Sequence, residues 1–234
     1  TIKTDTGEIK LSSNIVKSYL VAGGGNVSDQ EVKLFIALCS AQKLNPFIKE
    51  AHLIKYGSSP ATMVVSKDVY QKRADKHPEY QGKKAGIIVL TAEGKIDYRV
   101  GTFYIPSREE LVGGWCEVYR KDREPERVEV SLDEYVGKKK DGTVNAQWSG
   151  KPATMIRKVA VAQCLREAFT SEFQGMYVPE EMGVEDTTSN FVVEETPQVH
   201  QAIEATTAPT MQDIINEEKQ AEKVPVDDFD PMSM

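Results

Sequence analysis

The sequence predicts an α+β fold: a small antiparallel sheet packed with about three main helices, followed by a disordered acidic C-terminal tail. Three observations carry that expectation. Apolar residues recur at helical spacing near residues 28–43, 67–76 and 152–173. Between the second and third stretches, short β-prone runs alternate with turn residues. Beyond residue 178 the charge changes sign: residues 1–178 hold 27 Lys and Arg against 22 Asp and Glu, while 179–234 hold two lysines against 14 acids. The net charge of −7 therefore hides a mildly basic body and an acidic tail. Three parts follow, a mobile N-terminal arm over 1–27, a domain over 28–178 and a largely disordered tail over 179–234.

The arm is polar and ends in Ala22-Gly-Gly-Gly-Asn26, which reads as a hinge. Ser28-Asp-Gln-Glu31 has the form of a capping box, and Val32, Phe35, Ile36 and Cys39 continue one helical face until Asn45-Pro46 stops the helix. Residues 52–56 and 62–65 flank Gly57-Ser-Ser-Pro60 as a hairpin. Ser66 caps a second helix, from Lys67 to Lys76, and His77-Pro78 ends it. Strands are expected near 86–90, 96–103, 114–120 and 127–132, as a meander with a turn at Glu93-Gly-Lys95. Residues 133–150 read as a mobile basic loop around Lys138, Lys139 and Lys140, ending at Trp148. Pro152 then opens a third helix running to about Phe173.

That third helix is apolar nearly all round and must be buried on more than one side. Lys158 and Arg166 fall inside its main apolar stripe, and Arg157 falls on the opposite side. Buried charges need partners. A bound phosphate backbone would serve, and so would a buried acid.

Several function classes recede on composition. No run of eighteen apolar residues exists, so no membrane span is expected. No charged n-region with an apolar stretch opens the chain, and a signal peptide is not expected. Cys39, Cys116 and Cys164 are isolated thiols and His52, His77 and His200 are scattered, which speaks against a disulfide framework or a zinc site and for a reducing, cytoplasmic setting. The three glycines lack a following Gly-Lys-Ser/Thr, so no nucleotide cofactor is assigned. Glu93 and Lys95 with Asp97 have the acid-x-Lys look of some metal-dependent nucleases, the alternative reading, although Glu-Gly-Lys is an ordinary hairpin turn. Nucleic-acid binding needs cations with aromatics between them, and Lys138, Lys139, Lys140, Trp148, Lys151, Arg157, Lys158 and Arg166 lie within thirty residues.

Three segments carry a resemblance. Leu44-Asn-Pro-Phe-Ile-Lys-Glu50, Gly114-Trp-Cys-Glu-Val-Tyr-Arg-Lys121 and Trp148-x-x-Lys-Pro-x-x-Met-Ile-Arg-Lys-x-Ala-x-x-Gln-Cys-Leu-Arg-x-Ala-Phe169 are similar to the phage single-strand annealing proteins of the RecT/Redβ (Bet) family, over roughly residues 28–180. The resemblance implies a binding protein rather than an enzyme. It would hold single-stranded DNA, anneal complementary strands without ATP or any other cofactor, and assemble with itself as rings or helical filaments on the annealed duplex. It also implies that Arg157, Lys158 and Arg166, with Trp148 upstream, line a DNA groove. Ala153-Thr154 and Val159 stand where relatives carry cations, a gap that Lys151 and Lys138, Lys139 and Lys140 would fill. Charge alone extends the site to Lys67, Lys72, Arg73, Lys83 and Lys84. The tail would meet companion proteins, a phage 5′–3′ exonuclease or the host single-strand-binding protein, in the bacterial cytoplasm.

Overall fold

Ser28 opens the first long helix by the pattern its sequence predicts. The Glu31 amide donates to Ser28 Oγ at 3.3 Å and the Ser28 amide donates to Glu31 Oε2 at 2.7 Å, so two orphan donors of the first turn are satisfied reciprocally. In this computed structural model, residues 1–139 and 141–184 are described. Lys140 and residues 185–234, with most of the predicted tail, lie outside the described residues.

In chain order the elements are β1 (Ile2–Thr4), β2 (Gly7–Ile9), α1 (Ser13–Ile15) with a π turn at Val16–Leu20, β3 (Val21–Ala22), α2 (Asp29–Ala41), a 3-10 turn at Pro46–Ile48, β4 (Ala51–Ile54), β5 (Thr62–Val65) and α3 (Lys67–Lys76). Then come β6 (Tyr80–Thr91), β7 (Ile96–Val100), β8 (Glu109–Arg120), β9 (Glu126–Ser131), α4 (Leu132–Tyr135), α5 (Ala146–Gly150), α6 (Pro152–Ala168) and α7 (Thr170–Phe173). The class is α+β, with helices packed on small sheets. Among the described residues no helix is long and apolar enough to cross a membrane.

The largest sheet has the order β7-β6-β8-β9, all antiparallel. This order replaces the expected meander. The chain returns from β7 and lays β8 along the far side of β6, leaving β7 as an edge. Burial explains the choice, because Ala85, Ile87 and Val89 on β6 join the main core whereas β7 buries none of its residues. A central strand must be shielded by neighbours, and β6 is the apolar one.

α6 supplies the shield. Met155, Ile156, Val159, Ala160, Ala162, Cys164, Leu165 and Ala168 are all buried, which is the many-sided burial its composition predicts. It lies so close to β8 that a Cβ on Gly114 would come within 2.7 Å of the Ile156 carbonyl. The helix ends at Ala168 rather than Phe173. Phe169 leaves the helical region at φ −136, and the freed Ala168 carbonyl accepts hydrogen bonds from the Arg120 and Arg123 guanidinium groups. Phe169 and Phe173 then turn inward onto Tyr70 and His77.

The first 27 residues do not form a mobile arm. Ile2, Leu11 and Val16 belong to the main core, and β3 pairs parallel with β4. Nor do the glycines act as a hinge: they let the chain press against a neighbour. Gly23 sits at φ +89 with the Lys55 carbonyl 2.5 Å from where a Cβ would lie, and the Gly25 amide donates to that same carbonyl. At the other end, Val178, Pro179 and Glu180 are buried, so packed chain continues past the expected boundary at 178.

Glu31 does more than cap. Its carboxylate accepts from Lys55 Nζ at 2.8 Å and from the Ala61 amide at 2.8 Å, joining α2 to the β4–β5 connection. The Lys55 hydrogen bond, followed by those from Ser28 and Ala61, brings its pKa from an ordinary 4.5 down to about 2. A depressed carboxylate stabilises the fold fully above its unfolded pKa and loses that contribution as pH falls through the folded one. Thermal unfolding should therefore show an acid-sensitive component between pH 4.5 and about 2. Glu31→Gln should lower the melting temperature at pH 7 and remove that component.

Candidate nucleic-acid interface

The α6 cations divide by face, and the division settles which of them meet acids, a choice that spacing leaves open. Lys158 and Arg166, inside the apolar stripe, do so. Lys158 Nζ donates to Glu180 Oε1 at 2.7 Å, with the Glu180 side chain 2% exposed. Arg166 engages both oxygens of Glu181, one at 3.1 Å, donates to the Met176 carbonyl and lies 4.7 Å over the Tyr177 ring. Burial works against the Arg166 charge, but the Glu181 carboxylate outweighs it and holds the guanidinium pKa above its ordinary value. These acids come from the segment just after α7, and no local sequence signal ties them to their partners.

Arg157 faces the other way. Its Nε donates to the Ala85 carbonyl at 3.3 Å, holding the side chain along β6 beside Lys83. Burial, with Arg157 and Lys67 adding repulsion, lowers the Lys83 pKa. Arg157 and Lys67 are each within electrostatic reach of Lys83, and Cys116 and Asp75 oppose their effect on it. Lys67 itself is exposed and paired with its neighbour Asp68. The three cations, from α6, β6 and the start of α3, form a group that suits an anion with repeated charges, which relieves the repulsion by binding.

The remaining predicted residues take varied places. Lys84, on the opposite face of β6, is exposed and lies 5.7 Å over the Tyr119 ring. Lys138 and Lys139 are exposed on a small turn closed by hydrogen bonds between Lys139, Gly142 and Thr143, and Lys140 lies outside the described residues. Lys151 is exposed between α5 and α6. Trp148 is 2% exposed and packs against Gly137, so its ring anchors α5 rather than standing open to a base. Lys72 binds Glu50 at 2.6 Å. Arg73 donates to the Gln42 side chain and to the Glu172 carbonyl, tying the end of α2 to α7. Those two side chains serve the frame.

The nuclease alternative gains nothing from the geometry. Asp97 is held by Arg99 Nε at 2.6 Å, and Glu93 sits in the hairpin turn, its carboxyl pKa lowered by a hydrogen bond from Thr91. Among the described residues no group of three His, Cys, Asp or Glu side chains is placed to hold a metal ion.

The frame is an α+β domain whose most buried helix pairs Lys158 and Arg166 with acids and lays Arg157 along β6. The sequence profile of the RecT family matches residues 6–194, and the chain belongs to that family of single-strand annealing proteins of DNA recombination. No curated protein matches the chain.

Removing Arg166 strands the buried Glu181 carboxylate. Arg166→Ala should cost about 3–5 kcal/mol of stability in a urea titration. Replacing both partners, Arg166→Met with Glu181→Leu, should recover most of that loss, since no lone charge then remains buried.

Proposed function

We propose that this chain binds single-stranded DNA by its phosphates and anneals complementary strands without ATP, acting as a homo-oligomer on the DNA in the bacterial cytoplasm. The observation that carries the reading is the RecT-family match, on a frame that lays Arg157 along β6 at the Ala85 carbonyl and within electrostatic reach of Lys83. Lys138, Lys139 and Lys151, exposed on the turn and at the start of α6, extend the contact with Lys140, and Lys84 adds a charge on the sheet's other face. Lys72, Arg73, Trp148, Lys158 and Arg166 act by holding the frame that presents these cations. Backbone contacts leave the bases free to pair, so sequence is read by the complementary strand and not by the protein. Partners beyond DNA are further copies of this chain and, through the acidic C-terminal residues, a phage 5′–3′ exonuclease or the host single-strand-binding protein.

Two measurements test the reading. Mixing the protein with two complementary labelled oligonucleotides, with Mg²⁺ and without ATP, should yield full-length duplex; shortened strands would instead support the nuclease, and neither product would overturn both. Arg157→Ala and Lys83→Ala should each weaken single-strand binding and lower the slope of log affinity against log salt by about 0.7 for each phosphate no longer neutralised. An unchanged slope in both variants would remove Arg157 and Lys83 from the DNA path.

A further inference from the structure

Leu44-Asn-Pro-Phe-Ile-Lys-Glu50 lies outside the group of Arg157, Lys83 and Lys67, yet its shape is held from many sides. Asn45 Oδ1 accepts from the Phe47 amide at 3.0 Å, capping the 3-10 turn, and Asn45 Nδ2 donates to Thr6 Oγ1. The Asn45 amide donates to Glu50 Oε2 at 2.9 Å, and the other Glu50 oxygen accepts from Lys72. A His52 ring nitrogen lies 3.1 Å from the Lys49 carbonyl, and Lys49 closes the turn in the left-handed region at φ 63. Among the described residues five polar or charged residues are buried as a whole, and three of them, Asn45, Glu50 and His52, brace this one turn.

What the brace holds up is apolar. Phe47 is 46% exposed and Ile48 53% exposed, adjacent at the tip. A turn needing only to connect α2 with β4 would not fix two large hydrophobic side chains in water, where their burial would otherwise stabilise the fold. Rigid presentation of a ring is what a binding site requires, because little conformational freedom is then lost on contact.

The surroundings identify the occupant. Ile48, next to Phe47 in the chain, lines a depression of about 390 Å³ with Lys49, Glu50, Ser66, Asp68, Val69 and Lys72, and Lys72 is held there by Glu50. Lys67, at the start of α3, is paired with Asp68 and within electrostatic reach of Lys83. Lysine is depleted from the cores of protein–protein contacts, whereas an exposed aromatic ring with an exposed lysine two residues on suits an unpaired base beside its phosphate. Resting on the DNA-binding reading above, we propose that Phe47 is a stacking platform for a nucleobase of the bound single strand, with Ile48 supporting the base and Lys49 beside its phosphate.

The test uses the full chain and a fluorescein-labelled oligothymidine, alongside the same strand carrying abasic positions. Phe47→Ala and Phe47→Leu should each weaken binding of the intact strand by about ten-fold. The salt slope should stay as in the parent protein, since stacking releases no counterions, and thermal melts should be unchanged because the ring is exposed. On the abasic strand the parent protein and both variants should bind alike. Phe47→Trp should retain affinity, and the new indole should be quenched by the intact strand. Equal affinity of Phe47→Ala and the parent protein for the intact strand overturns the proposal. So does a loss that persists undiminished on abasic DNA, or one accompanied by impaired self-association in sedimentation, which would make the tip a protein contact. A parent protein that binds neither strand overturns the DNA-binding reading itself.

Discussion

The fold depends on neutralising two cations in its most buried helix. α6 cannot pack against β8 and the inner core while Lys158 and Arg166 are stranded in its apolar stripe, and desolvating a lone charge costs several kcal/mol. Glu180 and Glu181 remove that obstacle, and in doing so they fix where the chain after α7 must run. Once the segment lies there, Val65 donates to the Tyr177 carbonyl and Val184 packs against Ala22, Ile54 and Val64, so the small three-stranded sheet acquires its cover. Electrostatic need in one helix thus organises a second sheet.

The same arrangement leaves Arg157 as the α6 cation turned toward β6. A helix that pairs two of its three central charges inward and sends one outward separates support from recognition along a single element. This division also accounts for the weight of polar groups elsewhere: Asn45, Glu50 and His52 brace a surface turn, and Asn145 caps α5 through the Trp148 amide. At the Pro46–Ile48 turn, buried polarity holds a surface feature still.

Much of the frame was legible because it rests on local physics. The Ser28–Glu31 box, the Ser66 cap and the Pro152 start are side-chain-to-backbone events within a few residues, and each falls where the spacing predicts. Burial of α6 on several sides follows from its composition. The misreadings share a different cause. The first 27 residues look polar because their core contributors, Ile2, Leu11 and Val16, are widely spaced and find partners only in three dimensions. Strand order, the break at Phe169 under Arg120 and Arg123, and the acids that meet Lys158 and Arg166 are long-range choices. Of the candidate site, charge and motif spacing brought out the cations, but which were paired inward could be read only from the partners. Trp148 shows the same limit, since an aromatic at a helix start fits anchoring and stacking equally well until its burial is known.

The closure of the chain upon itself bears on how it folds during synthesis. Gln42 donates to the Gln174 carbonyl across 132 positions, and the β4–β5 sheet waits for Tyr177 to complete its edge. Contacts so distant in sequence form late, after the entropy of closing a long loop has been met. A nascent chain of this protein therefore carries α2, α3 and the first sheets out of the ribosome before the residues that cover them exist. The apolar edge of β5 stays open until translation passes the glutamates, and the interval is a window in which a chaperone has work to do.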